Sequence, residues 1–141
     1  MLKRSIGIGM LCLAGHAYSA EITVTITDDI TKDDSECSLR EAIEYVNKGM
    51  PEAGYMGCGG KNALSTILLD KQKTYTLNAK VDVKASLALK TYYDTTVTED
   101  AVPGLNNAII KMTGKDQIFN IDHDPKDLAL ITIKEVSFEG C

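Results

Sequence analysis

The 141-residue chain has no tryptophan, two phenylalanines and three prolines. An interior built on large aromatics is excluded, and the frequent Thr, Val and Ile tilt the composition towards strands. Asn-Gly and Asp-Gly pairs are missing, so the strongest tight-hairpin signals do not separate successive apolar runs. No stretch has the roughly twenty apolar residues that a membrane-spanning helix needs. Basic runs interleaved with aromatics are also lacking, which makes nucleic acid and anionic membrane surfaces poor partners. Beyond residue 20 there is one arginine, Arg40, and one histidine, His123. Gly57-Cys58-Gly59-Gly60 is followed by Lys61-Asn62, not by the Gly-Lys-Ser/Thr ending of a phosphate loop.

What is present begins with an export signal. Lys3 and Arg4 precede a short apolar run from Ile6 to Ala14, and Ala17-Tyr18-Ser19 fits a small-x-small cleavage site. Residues 1–19 therefore read as a signal peptide and 20–141 as one domain. His16 stands where a lipidated cysteine would have to be, which rejects a lipid anchor. Cleavage takes away two positive charges and moves the formal charge from −5 to −7. The expected location is the cell surface or the extracellular space, with the periplasm as a further option, and the mature chain has no transmembrane segment. Such compartments are oxidising. Cys37, Cys58 and Cys141 remain after cleavage. Cys37 and Cys58 flank one short helix and its Gly-rich return, so their disulfide is the leading expectation; free thiols or a bond to Cys141 are the alternatives.

That helix is the fixed point of the chain. In Cys37-Ser38-Leu39-Arg40-Glu41-Ala42-Ile43-Glu44-Tyr45-Val46-Asn47, Ser38 and Glu41 stand in the relation of a capping box. Leu39, Ala42, Ile43 and Val46 follow the i, i+3, i+4, i+7 spacing of one apolar face. Arg40 with Glu44, and Glu44 with Lys48, are expected as i,i+4 pairs on the wetter side. Gly49 suits the position after the cap and Pro51 stops continuation. A helix of about ten residues is too short to stand alone and must cover something. The rest reads as strands: Glu21–Thr27, alternating with Ile22, Val24 and Ile26 on one face, then short runs at 65–69, 74–77, 81–83, 86–89, 107–112, 117–121, 128–133 and 136–138.

Cys-Ser-Leu-Arg-Glu-Ala resembles the CSLREA motif found near the start of many exported bacterial proteins built as right-handed parallel β-helices. All six letters match. The order of later runs is similar to the opening coils of such proteins: Thr66 to Leu69, Tyr75 to Leu77, Ser86 to Leu89, Ala108 to Ile110, Ile118 to Ile121 and Leu130 to Gly140. The segment Ser38 to Gly60, with Gly104-Leu105-Asn106-Asn107-Ala108, is similar to the start of rhombotarget A proteins, though their Gly-Gly-type C-terminal sorting segment has no counterpart here. The resemblance implies a mainly β fold: the first coils of a right-handed parallel β-helix, with an N-terminal capping strand and one short amphipathic helix. Ser38, Leu39, Arg40, Glu41, Ala42, Ile43 and Val46 would then form the lid of the exposed solenoid end, with Arg40 pairing a carboxylate or backbone carbonyls. Asn106, Asn107 and Asn120 are expected as turn or ladder positions. The chain stops at Glu139-Gly140-Cys141 in mid-rhythm, so a longer β-helix chain or a self-associating copy is expected at that edge.

Chemistry is sparse. Asp28, Asp29, Asp33 and Asp34 invite a calcium reading, but the Gly and bidentate Glu of an EF-hand are missing, and a solvated acidic loop is the plainer account. Asp122-His123-Asp124-Pro125 reads as a polar turn. No catalytic, cofactor-binding or metal-ligating residue is assigned and no cofactor is expected. The function expected is a non-catalytic surface module that starts a solenoid and binds or displays, with a surface protein or glycan as partner. The alternative is the N-terminal part of a pectate-lyase-like polysaccharide lyase or glycosidase, which needs paired carboxylates along several coils.

Overall fold

The computed structural model describes residues 19–122, 124, 126 and 129–140. The signal peptide, His123, Pro125, Asp127, Leu128 and Cys141 therefore lie outside the described residues, Ser19 excepted. The described part is mainly β with one α-helix. Strand β1 (Ala20–Thr23) leads into a connection and then helix α1 (Leu39–Asn47). The strands β2 (Ala63–Leu69), β3 (Thr74–Leu77) and β4 (Val81–Val83) follow. After them come β5 (Leu87–Thr91), β6 (Ala108–Met112), β7 (Phe119–Ile121), β8 (Ile131–Lys134) and β9 (Val136–Glu139).

All six strand pairs are parallel, so none of them is a hairpin. Three sheets form, in the orders β1-β2-β5-β8, β3-β6-β9 and β4-β7. β1 pairs with β2; from β2 onward consecutive strands fall in different sheets, and each of β2 to β6 pairs with the strand three places later. The register keeps like residues in columns: Ile22, Ile67, Leu89 and Ile133 stack in one sheet, Tyr75, Ile110 and Phe138 in the second, and Val83 with Ile121 in the third. This is why short runs suffice. Alternate residues point inward (period 2), and each inward side chain is covered by its neighbours in the column. Burial weakens along the columns: Ile67, Leu89, Tyr75 and Ile110 are buried, whereas Ile133, Phe138 and Ile121 are 40%, 41% and 48% exposed.

The alternation from Glu21 to Thr27 predicts a longer first strand than forms. Ile22 and Val24 are buried as expected, but β1 ends at Thr23. The Thr25 N–H turns to the Cys37 carbonyl (2.8 Å), and the Thr25 hydroxyl accepts from the Cys37 N–H (2.7 Å). These bonds draw the chain off the sheet towards the helix start. Strands β3 and β4 keep their expected bounds, β2, β5, β6, β7 and β9 shift by one or two residues at their ends, and β8 begins three residues later than the run expected at 128–133.

Candidate functional site

The most constructed region is the end of the molecule where α1 sits. The capping box forms in full: Ser38 Oγ accepts from Glu41 N (3.1 Å) and Glu41 Oε1 accepts from Ser38 N (2.8 Å). The Glu41 side chain is fully buried, and its second oxygen accepts from the Lys32 N–H at 2.7 Å. Ser38 Oγ donates to the Ile30 carbonyl (2.6 Å). The box therefore pins the 30–32 connection as well as the helix start, and the Ser38 hydroxyl and both Glu41 oxygens all have partners. Leu39, Ala42, Ile43 and Val46 are all buried, joined by Tyr45. The helix ends in a Schellman pattern, with Met50 N–H to Tyr45 O (3.1 Å), Gly49 N–H to Val46 O (3.0 Å) and Gly49 at φ 86°.

Two covalent and steric ties hold the return loop under the helix. Cys37 and Cys58 form a disulfide across 21 residues, with Cα atoms 4.9 Å apart. The Tyr45 hydroxyl lies 3.1 Å from the carbonyls of Pro51 and Gly60 and accepts from the Gly60 N–H at 3.1 Å. Gly59, at φ +70°, runs so close to Tyr45 that a Cβ there would fall 2.1 Å from the ring.

At this end one strand of each sheet, β2, β3 and β4, is met by a different device, β1 being the outer strand of its own sheet. β2 is covered by β1. β3 donates Thr76 N–H to the Thr27 carbonyl (2.9 Å), and next to it Asn78 N–H bonds Asp29 Oδ2 (2.7 Å). β4 meets the side-chain amide of Asn47: its Nδ2 donates to the Asp82 carbonyl and its Oδ1 accepts from the Lys84 N–H, both at 2.8 Å. One amide thus stands in for a missing strand. Asn47 follows the Cys-Ser-Leu-Arg-Glu-Ala-Ile run as the nearby Asn of the resemblance, but nothing in the sequence assigns it this bonding, because an Asn at a helix end reads simply as the end of the helix.

Arg40 ties two of these devices together. Its Nε and Nη2 fork onto Asp29 (2.7 and 3.0 Å), while Nη2 and Nη1 donate to the carbonyls of Ala79 (2.7 Å) and Lys80 (3.1 Å). The expected Arg40–Glu44 and Glu44–Lys48 pairs do not form. Asp29 is also held by the Asn78 N–H, which offers Arg40 a fixed bidentate partner. Glu44 instead accepts from the Tyr55 hydroxyl (2.9 Å), and the Lys48 ammonium lies 5.0 Å from the Tyr55 ring centroid. Burial, the largest influence on Asp29, pushes its pKa up; the bonds from Arg40 and Asn78 and the Arg40 charge outweigh it and hold the carboxyl below its ordinary value. The Arg40 pKa is raised, chiefly by its bond to Asp29.

Beside this junction a groove of about 420 Å³ opens between the outer side of α1 and β4, lined by Arg40, Glu44, Asn47, Lys48, Tyr55, Lys80, Asp82 and Lys84 among others. Of the acidic connection, Asp29 is taken by Arg40 and Asp34 accepts from the Glu36 N–H. Among the described residues no three His, Cys, Asp or Glu side chains come together to hold a metal ion. Asn120 stacks on Asp82 in the β4–β7 ladder and donates to it (2.9 Å), and Asn106 accepts from the Gln72 amide (2.9 Å). No helix among the described residues is long and apolar enough to cross a membrane. Comparison of the chain with protein-family models, with curated proteins and with solved structures finds no match.

Proposed function

We propose that this chain is the start of an exported right-handed parallel β-helix of the CSLREA kind, similar to rhombotarget A proteins, and that its own role is architectural. In this reading β1, the 27–32 connection and α1 form the lid of the solenoid, and the module binds or displays at the cell surface without catalysis. The observation that carries it is the covering of β2, β3 and β4 at one end by a strand, a carbonyl–carboxylate pair and the Asn47 amide. Solenoids need polar, hydrogen-bonded covers on their terminal repeats. At the other end β7, β8 and β9 present half-exposed Ile121, Ile133 and Phe138, which fits further coils or a second copy stacking there.

Two measurements test this. Intact mass of the product from its native cell, by surface and soluble fractions, should show loss of residues 1–19 and one disulfide; an unprocessed cytosolic product sinks the export reading. Hydrogen exchange on a Leu39→Asp variant should lose protection in β2 to β4 before β6; uniform loss, or none, sinks the lid reading.

A further inference from the structure

The groove beside α1 collects cations in a chain whose net charge is negative. Arg40 is committed to Asp29 and two carbonyls. Lys48, Lys80 and Lys84 are exposed, and none makes an ion pair among the described residues. Opposite charges lie within reach, yet they are engaged elsewhere: Glu44 Oε1 takes the Tyr55 hydroxyl and Asp82 Oδ1 takes the Asn120 amide. Each of these carboxylates keeps its other oxygen without a protein donor among the described residues. The frame is fixed, because Asn47 and Arg40 bond the backbone of residues 79–84 directly. The groove therefore offers three ammonium groups and two acceptor oxygens on a preformed support.

The geometry points to a binding site for an acidic saccharide, one that carries carboxylate or sulfate groups together with free hydroxyls. Ammonium groups answer the acid groups, and the spare oxygens of Glu44 and Asp82 accept from sugar hydroxyls. A nucleic-acid backbone brings phosphates but few hydroxyl donors, and so leaves the spare oxygens of Glu44 and Asp82 unanswered. A neutral sugar would leave the three ammonium groups unanswered. A volume of about 420 Å³ lies in the range of small-ligand sites and suits a short segment, not a whole polymer. The site stands on the groove alone and does not depend on export or on how many coils follow.

The test is calorimetric titration of the full disulfide-bonded chain with trigalacturonate, a heparin-derived tetrasaccharide, maltotriose and oligo-dT. The first two arms separate carboxylated from sulfated sugars. Binding of at least one acidic sugar is expected, weakening several-fold between 50 and 300 mM salt, with maltotriose and oligo-dT at least tenfold weaker. The triple variant Lys48→Gln, Lys80→Gln, Lys84→Gln should keep the parent melting temperature and lose at least tenfold in affinity. The control Lys111→Gln, Lys115→Gln, outside the groove lining, should bind as the parent does. Absence of acidic-sugar binding, equal binding of oligo-dT, or an unchanged affinity in the triple variant overturns the proposal.

Discussion

Replacing Arg40 by alanine is the sharpest probe of how α1 is fastened to the 27–32 connection and the segment after β3. The side chain makes two bonds to Asp29 and one each to the Ala79 and Lys80 carbonyls. A charged hydrogen bond contributes about 1.5–3 kcal/mol when well buried, and exposed ion pairs about 0–1. Arg40 is partly exposed while its partner Asp29 is 5% exposed, so the sum is discounted to about 2–3 kcal/mol. Arg40→Lys should recover less than half of it, because one ammonium cannot fork onto a carboxylate and reach two carbonyls. The pH dependence gives a second, independent reading. In the parent the Asp29 pKa is depressed, so its stabilisation is fully present above the unfolded value of about 3.9 and is lost as pH falls through the folded value. In Arg40→Ala burial remains and the guanidinium is gone, so protonation of Asp29 becomes favourable to the fold. The gap between parent and variant must narrow from pH 7 to pH 2.5. Urea unfolding at both pH values measures it. A gap below about 0.5 kcal/mol at pH 7, or one that stays constant on acidification, refutes the reasoning.

Three further perturbations address separate joints of the same end. Reduction, or Cys37→Ser with Cys58→Ser, opens a loop spanning 21 residues; chain entropy assigns that bridge about 3 kcal/mol, readable as a lower urea midpoint, and an unchanged midpoint rejects it. Asn47→Ala strips the Asp82 carbonyl and the Lys84 N–H of their partners; with water able to replace part of the bonding, a loss of about 1–2 kcal/mol is expected, and the Lys84 amide should exchange faster than that of Thr76. Gly59→Ala drives a Cβ into the Tyr45 ring and adds strain at φ +70°; a loss above about 3 kcal/mol is expected, and a melting temperature near that of the parent shows that the loop relaxes more freely than its contacts imply.

The helix was legible because its signals are local. A Ser-x-x-Glu box, a four-residue apolar face and a glycine at the left-handed position lie within a dozen residues, and each is settled by neighbours one turn away. Short strands at 74–77 and 81–83 were legible for the same reason, since period-2 runs between polar breaks need no partner to be seen. What escaped is long-range and made of side chain to backbone bonds. Asp29 reads as one more carboxylate in an acidic connection until Asn78, 49 residues on, fixes it; only then does Arg40 have a reason to turn from Glu44. Asn47 becomes a surrogate strand only when β4 arrives 35 residues later. The three closures also have no common residue type, so no pattern search would group them. They share a demand instead: a sheet edge at the end of a stack has donors and acceptors that must find partners. That demand, not a motif, is what assigns Asn47, Asp29 and Arg40 to one joint task, and it explains why the only disulfide among the described residues, the fully buried Glu41 carboxylate and the forked Arg40–Asp29 pair gather at a single end.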